Sequence, residues 1–254
     1  MRTVLVIGIG LGEPQQLTLQ AIEAIQRTDV FFSTEKGTAA DELGQSRRAL
    51  CERFATTRPY RFVHIPDPPR DRDAADYHRA VDDWTIARAD LWERLLAEHL
   101  AEEMTGAFLA WGDPAFYDST LRVLDHIHAT TKLRLRIEVI PGISSLQALA
   151  ASHRISLTRV GRPVHITTGR RLADEGIPTT ADDVVVMLDG DASFRHIDPA
   201  GWDIFWGAYL GGPDEILMSG DLAETGGRIV AGRAEARARR GWIMDTYLLR
   251  RTTP

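Results

Sequence analysis

The sequence predicts an α/β fold that consists of two α/β domains. In the first half, short apolar runs alternate with segments of helical periodicity, whereas the second half is rich in strand-like runs and has fewer and shorter helices. No Ser/Gly-rich linker separates the halves, so we expect them to pack closely. We assign residues 1–140 to an N-terminal domain and residues 141–254 to a C-terminal domain with a mixed sheet.

The first predicted strand opens the chain. Residues 4–9 form a continuous apolar run, the pattern of a strand that is covered on both faces. Further apolar runs predict strands at residues 29–32, 61–65, 107–111 and 135–140. Apolar residues at helical spacing predict helices near residues 17–25, 40–54, 119–128 and 145–152, and a long helix or helix pair over residues 74–104.

In the second half, strand-like runs follow one another closely. They predict strands at residues 164–168, 184–188, 204–209, 215–218 and 242–249. Because few helical segments separate these runs, they favour the mixed sheet of the second domain.

Composition excludes several classes of protein. No apolar run approaches the ~20 residues that a membrane-spanning helix needs. The net charge of −6, without a block of Lys or Arg, argues against a nucleic-acid partner. Cys51 is the only cysteine, so an intramolecular disulfide and a cysteine zinc site are excluded.

Neither a metal site nor an export signal is expected. His126 and His128 are the one close histidine pair, and residues two apart on a helix do not share a face. The N-terminus lacks the charged region and the cleavage site of a signal peptide. We therefore expect a cytoplasmic protein.

The first segment that suggests chemistry is residues 6–18. Gly8, Gly10 and Gly12 follow the first strand, and glycines there let the backbone approach a ligand closely. A dinucleotide fingerprint would need a third glycine at position 13, where Glu13 stands, and the following Pro14 has no N–H for a phosphate. A nicotinamide-dependent oxidoreductase is thus a disfavoured alternative, and a turn without a ligand also stays open.

Three later segments each allow a functional and a purely structural interpretation. Asp113 lies in a Gly-Asp-Pro turn after a predicted strand, where it can accept hydrogen bonds from a ligand or simply form a β-turn. Ser144 or Ser145 can cap a helix or face a polar ligand. Residues 207–222 predict, by themselves, only a strand, a turn and a strand.

Taken in order, the four segments resemble the tetrapyrrole methylase family, which includes the uroporphyrinogen and precorrin methyltransferases. The family's V-G-x-G-P-G-D-x-x-x-L-T is similar to residues 7–18, with Leu11 in place of proline and Glu13 in place of aspartate. Its G-G-D-P is similar to residues 111–114, with Trp111 in place of the first glycine. Its V-x-P-G-I-(S/T)-(S/A) resembles residues 139–145, and its G-T-x-x-(E/Q)-x-x-x-x-G-x-L resembles residues 211–222.

The resemblance implies two α/β domains with the methyl donor S-adenosylmethionine in the cleft between them, usually in a homodimer. Carried over position by position, it implies donor contacts from Leu11, Trp111, Gly112, Asp113, Phe116, Ser144, Ser145, Leu188, Asp189, Ala208, Tyr209 and Leu210. The serines would hold the amino-acid part or the ribose of the donor. The last five residues would cover its adenine.

The resemblance is most detailed at residues 29–37, 74–104 and 111–122, and it also implies a reaction. Ring carbon C1 of precorrin-5 is methylated and a two-carbon bridge leaves as acetate, which gives precorrin-6A and S-adenosylhomocysteine. Acetate release needs water and a group that polarises or protonates the acyl fragment. Asp113 and Tyr117 are the candidate catalytic residues, with His64, Asp67 and Asp118 also available.

The expected partner is a small tetrapyrrole, with neither nucleic acid nor membrane involved. Its acetate and propionate groups suit guanidinium forks, and the candidates are Arg47, Arg48, Arg70, Arg72, Arg170 and Arg171. Alternatives are another precorrin methyltransferase, a non-catalytic binder that keeps the cleft, and a relative that methylates protein or RNA. The acidic net charge counts against RNA.

Overall fold

The structure is a computed structural model, and it describes residues 1–34, 37–69 and 76–252. The chain divides into two compact units, Met1–Ile143 and Ser144–Pro254. Each unit has a five-stranded sheet and a hydrophobic core of its own. The predicted class, a chain of two α/β units, is confirmed.

The first unit is a parallel sheet with helices on both faces. Its elements are β1 (Arg2–Gly8), α1 (Leu19–Gln26), β2 (Val30–Ser33), α2 (Gly37–Phe54), β3 (Arg61–His64), α3 (Tyr77–His99), β4 (Thr105–Ala110), α4 (Thr120–Thr130) and β5 (Leu135–Ile140). The strand order is β3-β2-β4-β1-β5, and every pairing is parallel. The long stretch before β4 is one helix, α3, and not a pair.

The two faces of this sheet explain the continuous apolar run of β1. Val4 and Val6 pack on one face with residues of α3 and α4, while Leu5 and Ile7 pack on the other with residues of α1 and α2. Successive side chains of a strand point to opposite faces. A strand between two helical layers is therefore apolar at every position.

The second unit contains the mixed sheet that the sequence predicts. Its elements are α5 (Ser145–His153), β6 (His165–Thr168), α6 (Gly169–Glu175), β7 (Asp183–Met187), β8 (Trp202–Ala208), β9 (Ile216–Asp221), α7 (Leu222–Arg240) and β10 (Asp245–Arg251). The order is β6-β7-β10-β8-β9, with β6 and β7 parallel and the other pairs antiparallel.

One expectation about this unit is wrong. Its helices were expected to be short, but α7 is 19 residues long. The glycines within α7, including Gly226 and Gly227, weaken its helical signal in the sequence. Asp221 stabilises its start by accepting the N–H groups of Ala223 and Glu224 at 2.8 and 3.2 Å.

Candidate active site

Three glycines meet where β1, β4 and β5 end. A Cβ atom on Gly8 would lie 2.5 Å from the Gly142 nitrogen and 2.9 Å from the Gly112 carbonyl oxygen. A Cβ atom on Gly142 would overlap that same oxygen. Because no side chain fits at this junction, the backbones of the three turns lie against one another.

A backbone bridge closes the junction. Gly10 N–H donates to the Gly112 carbonyl at 3.2 Å, and Gly112 N–H donates to the Gly10 carbonyl at 2.7 Å. Both residues have positive φ, +63° and +70°. Glycine adopts this region without the steric cost that other residues meet. The glycines of the first segment are therefore required by the backbone itself.

The chain leaves β1 and β4 towards opposite faces of the sheet. α1, which follows β1, packs on the face of Leu5 and Ile7, whereas α4, which follows β4, packs on the face of Val4 and Val6. Adjacent parallel strands whose connections part in this way leave a crevice at their carboxyl ends, where open α/β sheets bind ligands. The glycine junction lies at that crevice.

Asp113 connects two of the turns. Its Oδ2 accepts the N–H of Gly142 at 2.8 Å, and its Oδ1 accepts the N–H of Ala115 at 2.8 Å. Both carboxylate oxygens thus bind backbone amides of the first unit. This geometry assigns Asp113 to shaping the turns that line the crevice.

Leu11 and Trp111, where the chain departs from the family pattern, lie at the same turns. The Trp111 ring covers Gly12, where a Cβ atom would lie 2.6 Å from the ring edge. The Trp111 indole nitrogen is buried and has no hydrogen-bond partner among the described residues. Leu11 is half-buried, and its N–H donates to Gln16 Oε1 at 3.2 Å.

The loop after Asp113 carries Phe116 and Tyr117. Phe116 is half-buried, and its N–H donates to the Asp113 carbonyl at 3.1 Å, which forms a turn. Tyr117 has a φ of +54° and is 48% exposed. A bulky residue in this region of φ carries strain, and such strain is common at functional sites.

The two serines begin the second unit. Ser144 caps α5, because its hydroxyl accepts the Leu146 N–H and the Gln147 side chain accepts the Ser144 N–H. Ser145 is half-buried, and its hydroxyl oxygen accepts a hydrogen bond from Thr246 at 2.9 Å. The capping interpretation of Ser144 is therefore confirmed.

The remaining predicted donor contacts lie where β7 and β8 of the second sheet end. Leu188 and Asp189 follow β7, and Ala208, Tyr209 and Leu210 lie at the end of β8. In the registers of β10 with its two neighbours, Tyr247 faces Val186 and Asp245 faces Ala208. The ends of β7 and β8 therefore flank the start of β10.

The side chains at this edge differ in their surroundings. Leu188 is 64% exposed and has a φ of +52°, and Tyr209 has a φ of +49°. The Tyr209 hydroxyl donates to the Trp242 carbonyl at 2.6 Å, so its phenol is already bound within the unit. Leu210 packs over Gly207, and Asp189 is buried.

Among the described arginines expected to bind substrate carboxylates, Arg47 contacts the backbone of β4. Its Nε donates to the Leu109 carbonyl at 3.1 Å, close to the carboxyl end of β4. Arg48 lies over the Phe62 ring, and Arg171 pairs with Glu175. Arg70 and Arg72 lie outside the described residues, as do Glu35 and Lys36.

A buried ion pair contacts the loop that carries Tyr117. The sequence pattern gives no sign of its arginine. Arg88 of α3 pairs with Asp67 at 3.0 Å and donates to the Ser119 hydroxyl at 2.6 Å. Trp84 and Trp92 flank its guanidinium. Burial lowers the pKa of Arg88 to about 10. Arginine is common in this chain, and nothing in its spacing marks Arg88 as buried.

The dinucleotide interpretation finds no support at the first turn. Residues Pro14–Gln16 form a short 3-10 helix capped by Glu13, and α1 begins only at Leu19. Thr18 accepts the Ala21 N–H at 3.0 Å and so caps α1 itself. The free N–H groups that would bind a pyrophosphate therefore do not follow the glycine turn directly.

Among the helices of the described residues, none is both long and apolar enough to span a bilayer. No three His, Cys, Asp or Glu side chains among these residues are grouped to hold a metal ion.

The fold defines a two-unit α/β protein in which closely packed glycine turns lie at the carboxyl ends of the first sheet. The chain belongs to the tetrapyrrole (corrin/porphyrin) methylase family, whose model matches residues 3–225. The family expected from the four segments is confirmed.

Individual relatives agree with this assignment. The chain is 49% identical to the precorrin-6A synthase [deacetylating] of a Sinorhizobium species, over 99% of this chain and 96% of the relative. Its sequence is 35% identical to that of a cobalamin synthesis related protein (CobF) from Corynebacterium diphtheriae. The crystal structure of that protein matches with full coverage of both chains and a TM-score of 0.84. A uroporphyrin-III C-methyltransferase from Thermus thermophilus, solved with S-adenosylhomocysteine, shares the fold at 18% identity, with 97% and 91% coverage and a TM-score of 0.57.

Proposed function

We propose that the chain is an S-adenosylmethionine-dependent C-methyltransferase of cobalamin biosynthesis, which methylates C1 of precorrin-5 and releases acetate to give precorrin-6A. The observation that carries this proposal is the 49% identity, over nearly all of both chains, with the Sinorhizobium precorrin-6A synthase [deacetylating]. The CobF structure supports a role in cobalamin synthesis, since this cobalamin synthesis related protein matches the chain from end to end.

The first unit fits a donor that is bound mainly by backbone. Cβ atoms on Gly8 and Gly142 would collide with the backbone of neighbouring turns, so glycine at both positions lets the turns that we propose to receive the donor pack together. Asp113 is committed to the turns, so we assign it to positioning. In the second unit, residues 188–189 and 208–210 are the proposed contacts of the adenine. The structure solved with S-adenosylhomocysteine supports this choice of donor for the fold.

Bound S-adenosylmethionine supplies a methyl group on a sulfonium, and the chain has to align it with the ring carbon. The rigid glycine junction holds the turns in one arrangement, and such alignment can supply much of a rate enhancement. An environment of low polarity would favour the transfer, because the positive charge of the sulfonium is dispersed as the methyl group moves.

Release of acetate needs a proton donor or a polarising group, and we assign this role to Tyr117. It is exposed and lies on the loop that begins at Asp113. A phenol hydroxyl can donate a hydrogen bond to an acyl oxygen. Tyr117→Phe tests the role, since it keeps the ring and removes the hydroxyl.

The decisive experiment is a reaction of the purified protein with precorrin-5 and isotopically labelled donor. We expect one labelled methyl group at C1 and one equivalent of acetate for each turnover. A methyl group at another carbon would contradict the step but not the methyltransferase. Donor binding without any turnover would indicate a non-catalytic binder.

The other functional class is tested by thermal unfolding. A ligand that binds only the folded state raises the melting temperature. We expect stabilisation by S-adenosylhomocysteine and none by NADH, and the reverse pattern would contradict a methyltransferase. The tetrapyrrole partner, the homodimer and the cytoplasmic location belong to the same proposal. Chromatography with light scattering tests the dimer.

A further inference from the structure

Arg233 of α7 lies in a buried polar cluster at the edge of the second sheet. Its Nε donates to Asp245 Oδ2 at 2.6 Å, and its Nη2 donates to Asp245 Oδ1 at 3.3 Å. The same guanidinium donates to the backbone carbonyls of Asp189 and Gly190, the latter at 3.2 Å. One arginine thus joins a carboxylate at the start of β10 to two successive carbonyls after β7.

The side chain of Asp189 is held equally firmly. Its Oδ2 accepts the Tyr247 hydroxyl and the Ser193 N–H, each at 2.7 Å. Its Oδ1 accepts the Asp191 N–H and the Ser193 hydroxyl, each at 3.0 Å. A Cβ atom on Gly169 would lie 2.5 Å from that oxygen, so the carboxylate fits only against a glycine. Its four hydrogen bonds make Asp189 a fixed point of the unit.

Leu188 precedes this fixed turn and has the opposite character. Its large apolar side chain is 64% exposed, and its φ of +52° is costly for a residue with a branched side chain. Strained backbone persists only where the surroundings determine it, and it is common at ligand sites. The buried charges therefore hold an exposed apolar residue in a strained conformation. The stability of the unit does not explain this arrangement.

We infer that Arg233 and Tyr247 are positioning residues for the methyl donor, which hold the backbone of residues 188–190 in the arrangement that receives the adenine. This inference rests on the proposed function. Arg233 acts through the two carbonyls, and Tyr247 acts through the Asp189 carboxylate. Neither residue needs to touch the donor.

Arg233→Lys separates positioning from simple loss of charge. Lysine keeps a positive charge opposite Asp245, but a single ammonium group cannot reproduce the fork that reaches both the carboxylate and the two carbonyls. We expect the dissociation constant of S-adenosylhomocysteine and the donor KM to rise about tenfold, with kcat within about twofold of the wild type.

The chain offers a matched control at the opposite end of the same sheet. Arg250 is buried to a similar extent, pairs with Asp183 at 2.6 Å and donates to the carbonyls of Ser156 and Leu157 at 2.9 and 3.2 Å. Asp183 begins β7, so this cluster lies at the other end of the strand from Leu188. Arg250→Lys should lower stability to a similar degree and leave donor binding unchanged.

Isothermal titration with S-adenosylhomocysteine and urea unfolding of both variants give the answer. Unchanged donor binding in Arg233→Lys, with the same loss of stability as in Arg250→Lys, would overturn the inference. If Arg233→Lys does not fold, Tyr247→Phe takes its place, with an expected loss of about threefold in affinity, and wild-type affinity there would also overturn it. A wild-type protein that does not bind S-adenosylhomocysteine would instead overturn the proposed function.

Discussion

The N–H of Gly142 donates to Oδ2 of Asp113 at 2.8 Å, which joins the turn after β5 to the turn after β4. Gly142 also lies against Gly8, where β1 ends. One carboxylate therefore stabilises the meeting of three turns whose backbone has no room for side chains. Under the proposed function, this contact holds in place the turns that would receive the donor.

Asp113→Ala should weaken donor binding together with stability. Two amide N–H groups lose their acceptors, at a cost of about 1–3 kcal/mol, and the turns lose their alignment. Asp221→Ala is the control, since Asp221 also accepts two amide N–H groups, at the start of α7. We expect comparable losses in urea unfolding, but reduced affinity for S-adenosylhomocysteine only in Asp113→Ala. Equal affinities in the two variants would remove Asp113 from the donor site.

Two glycine-to-alanine substitutions should have opposite effects on stability. Gly142→Ala places a methyl group against the Gly112 carbonyl, and overpacking of this kind costs about 1–3 kcal/mol or more. Gly227→Ala meets no atom within 4 Å on an exposed turn of α7, where alanine gains about 1 kcal/mol over glycine. Melting temperatures measure both. An increase for Gly142→Ala would show that the junction is looser than described.

The sequence predicts those parts of the fold that depend on local pattern. β1 is recognisable because both of its faces are covered, and Gly8 and Gly10 are recognisable because they lie at and just beyond its end. α7 was not predicted, since its stability comes from the Asp221 cap and from burial of residues such as Ile229, which outweigh its glycines. Tertiary packing overrides propensity there.

The same distinction applies to the site. The four segments identify the turns. The hydrogen bonds that hold the carboxylates of Asp113 and Asp189, however, come from residues far along the chain, Gly142 and Tyr247. Arg233 gives no local signal in the sequence, because its importance lies in two carbonyls that follow another strand. Sequence pattern therefore identifies the backbone segments of a candidate ligand site more readily than it identifies the side chains that hold those segments in place.

Cys51 should make stability depend on pH in alkaline solution. The thiol is fully buried, and burial raises its pKa from the model-compound value of 9.0 to about 12. Above pH 9 the unfolded chain loses this proton and the folded chain keeps it, so the free energy of unfolding falls as the pH rises towards 12. The slope is about 1.4 kcal/mol per pH unit. Urea unfolding of wild type and Cys51→Ala between these limits should show the smaller slope in the variant, and parallel slopes would contradict the buried thiol.

Removing one partner of the Arg88–Asp67 ion pair should lower the stability strongly, whereas replacing both partners by apolar residues should lower it little. Their side chains are only 6% and 2% exposed, so Arg88→Met leaves a buried carboxylate without this arginine, at a cost of about 3–5 kcal/mol. The pKa of Arg88, about 10, keeps it charged at neutral pH, so we expect the same loss between about pH 6 and pH 8. Arg88→Met combined with Asp67→Leu should recover most of the stability, because no charge of the pair then stays buried.

A double-mutant cycle in urea at pH 7 measures the coupling between Arg88 and Asp67. The more accessible pair of Arg27 and Glu138, with side chains 41% and 28% accessible, is the control, and Arg27→Met should cost no more than about 1 kcal/mol. Arg88 also donates to Ser119, just after Tyr117, so the double variant should keep its fold but lose order in that loop. We therefore expect acetate release to fall in the double variant while affinity for S-adenosylhomocysteine stays within about twofold of the wild type. A double variant no more stable than Arg88→Met would show that the cost lies in lost packing between Trp84 and Trp92 and not in the unpaired carboxylate.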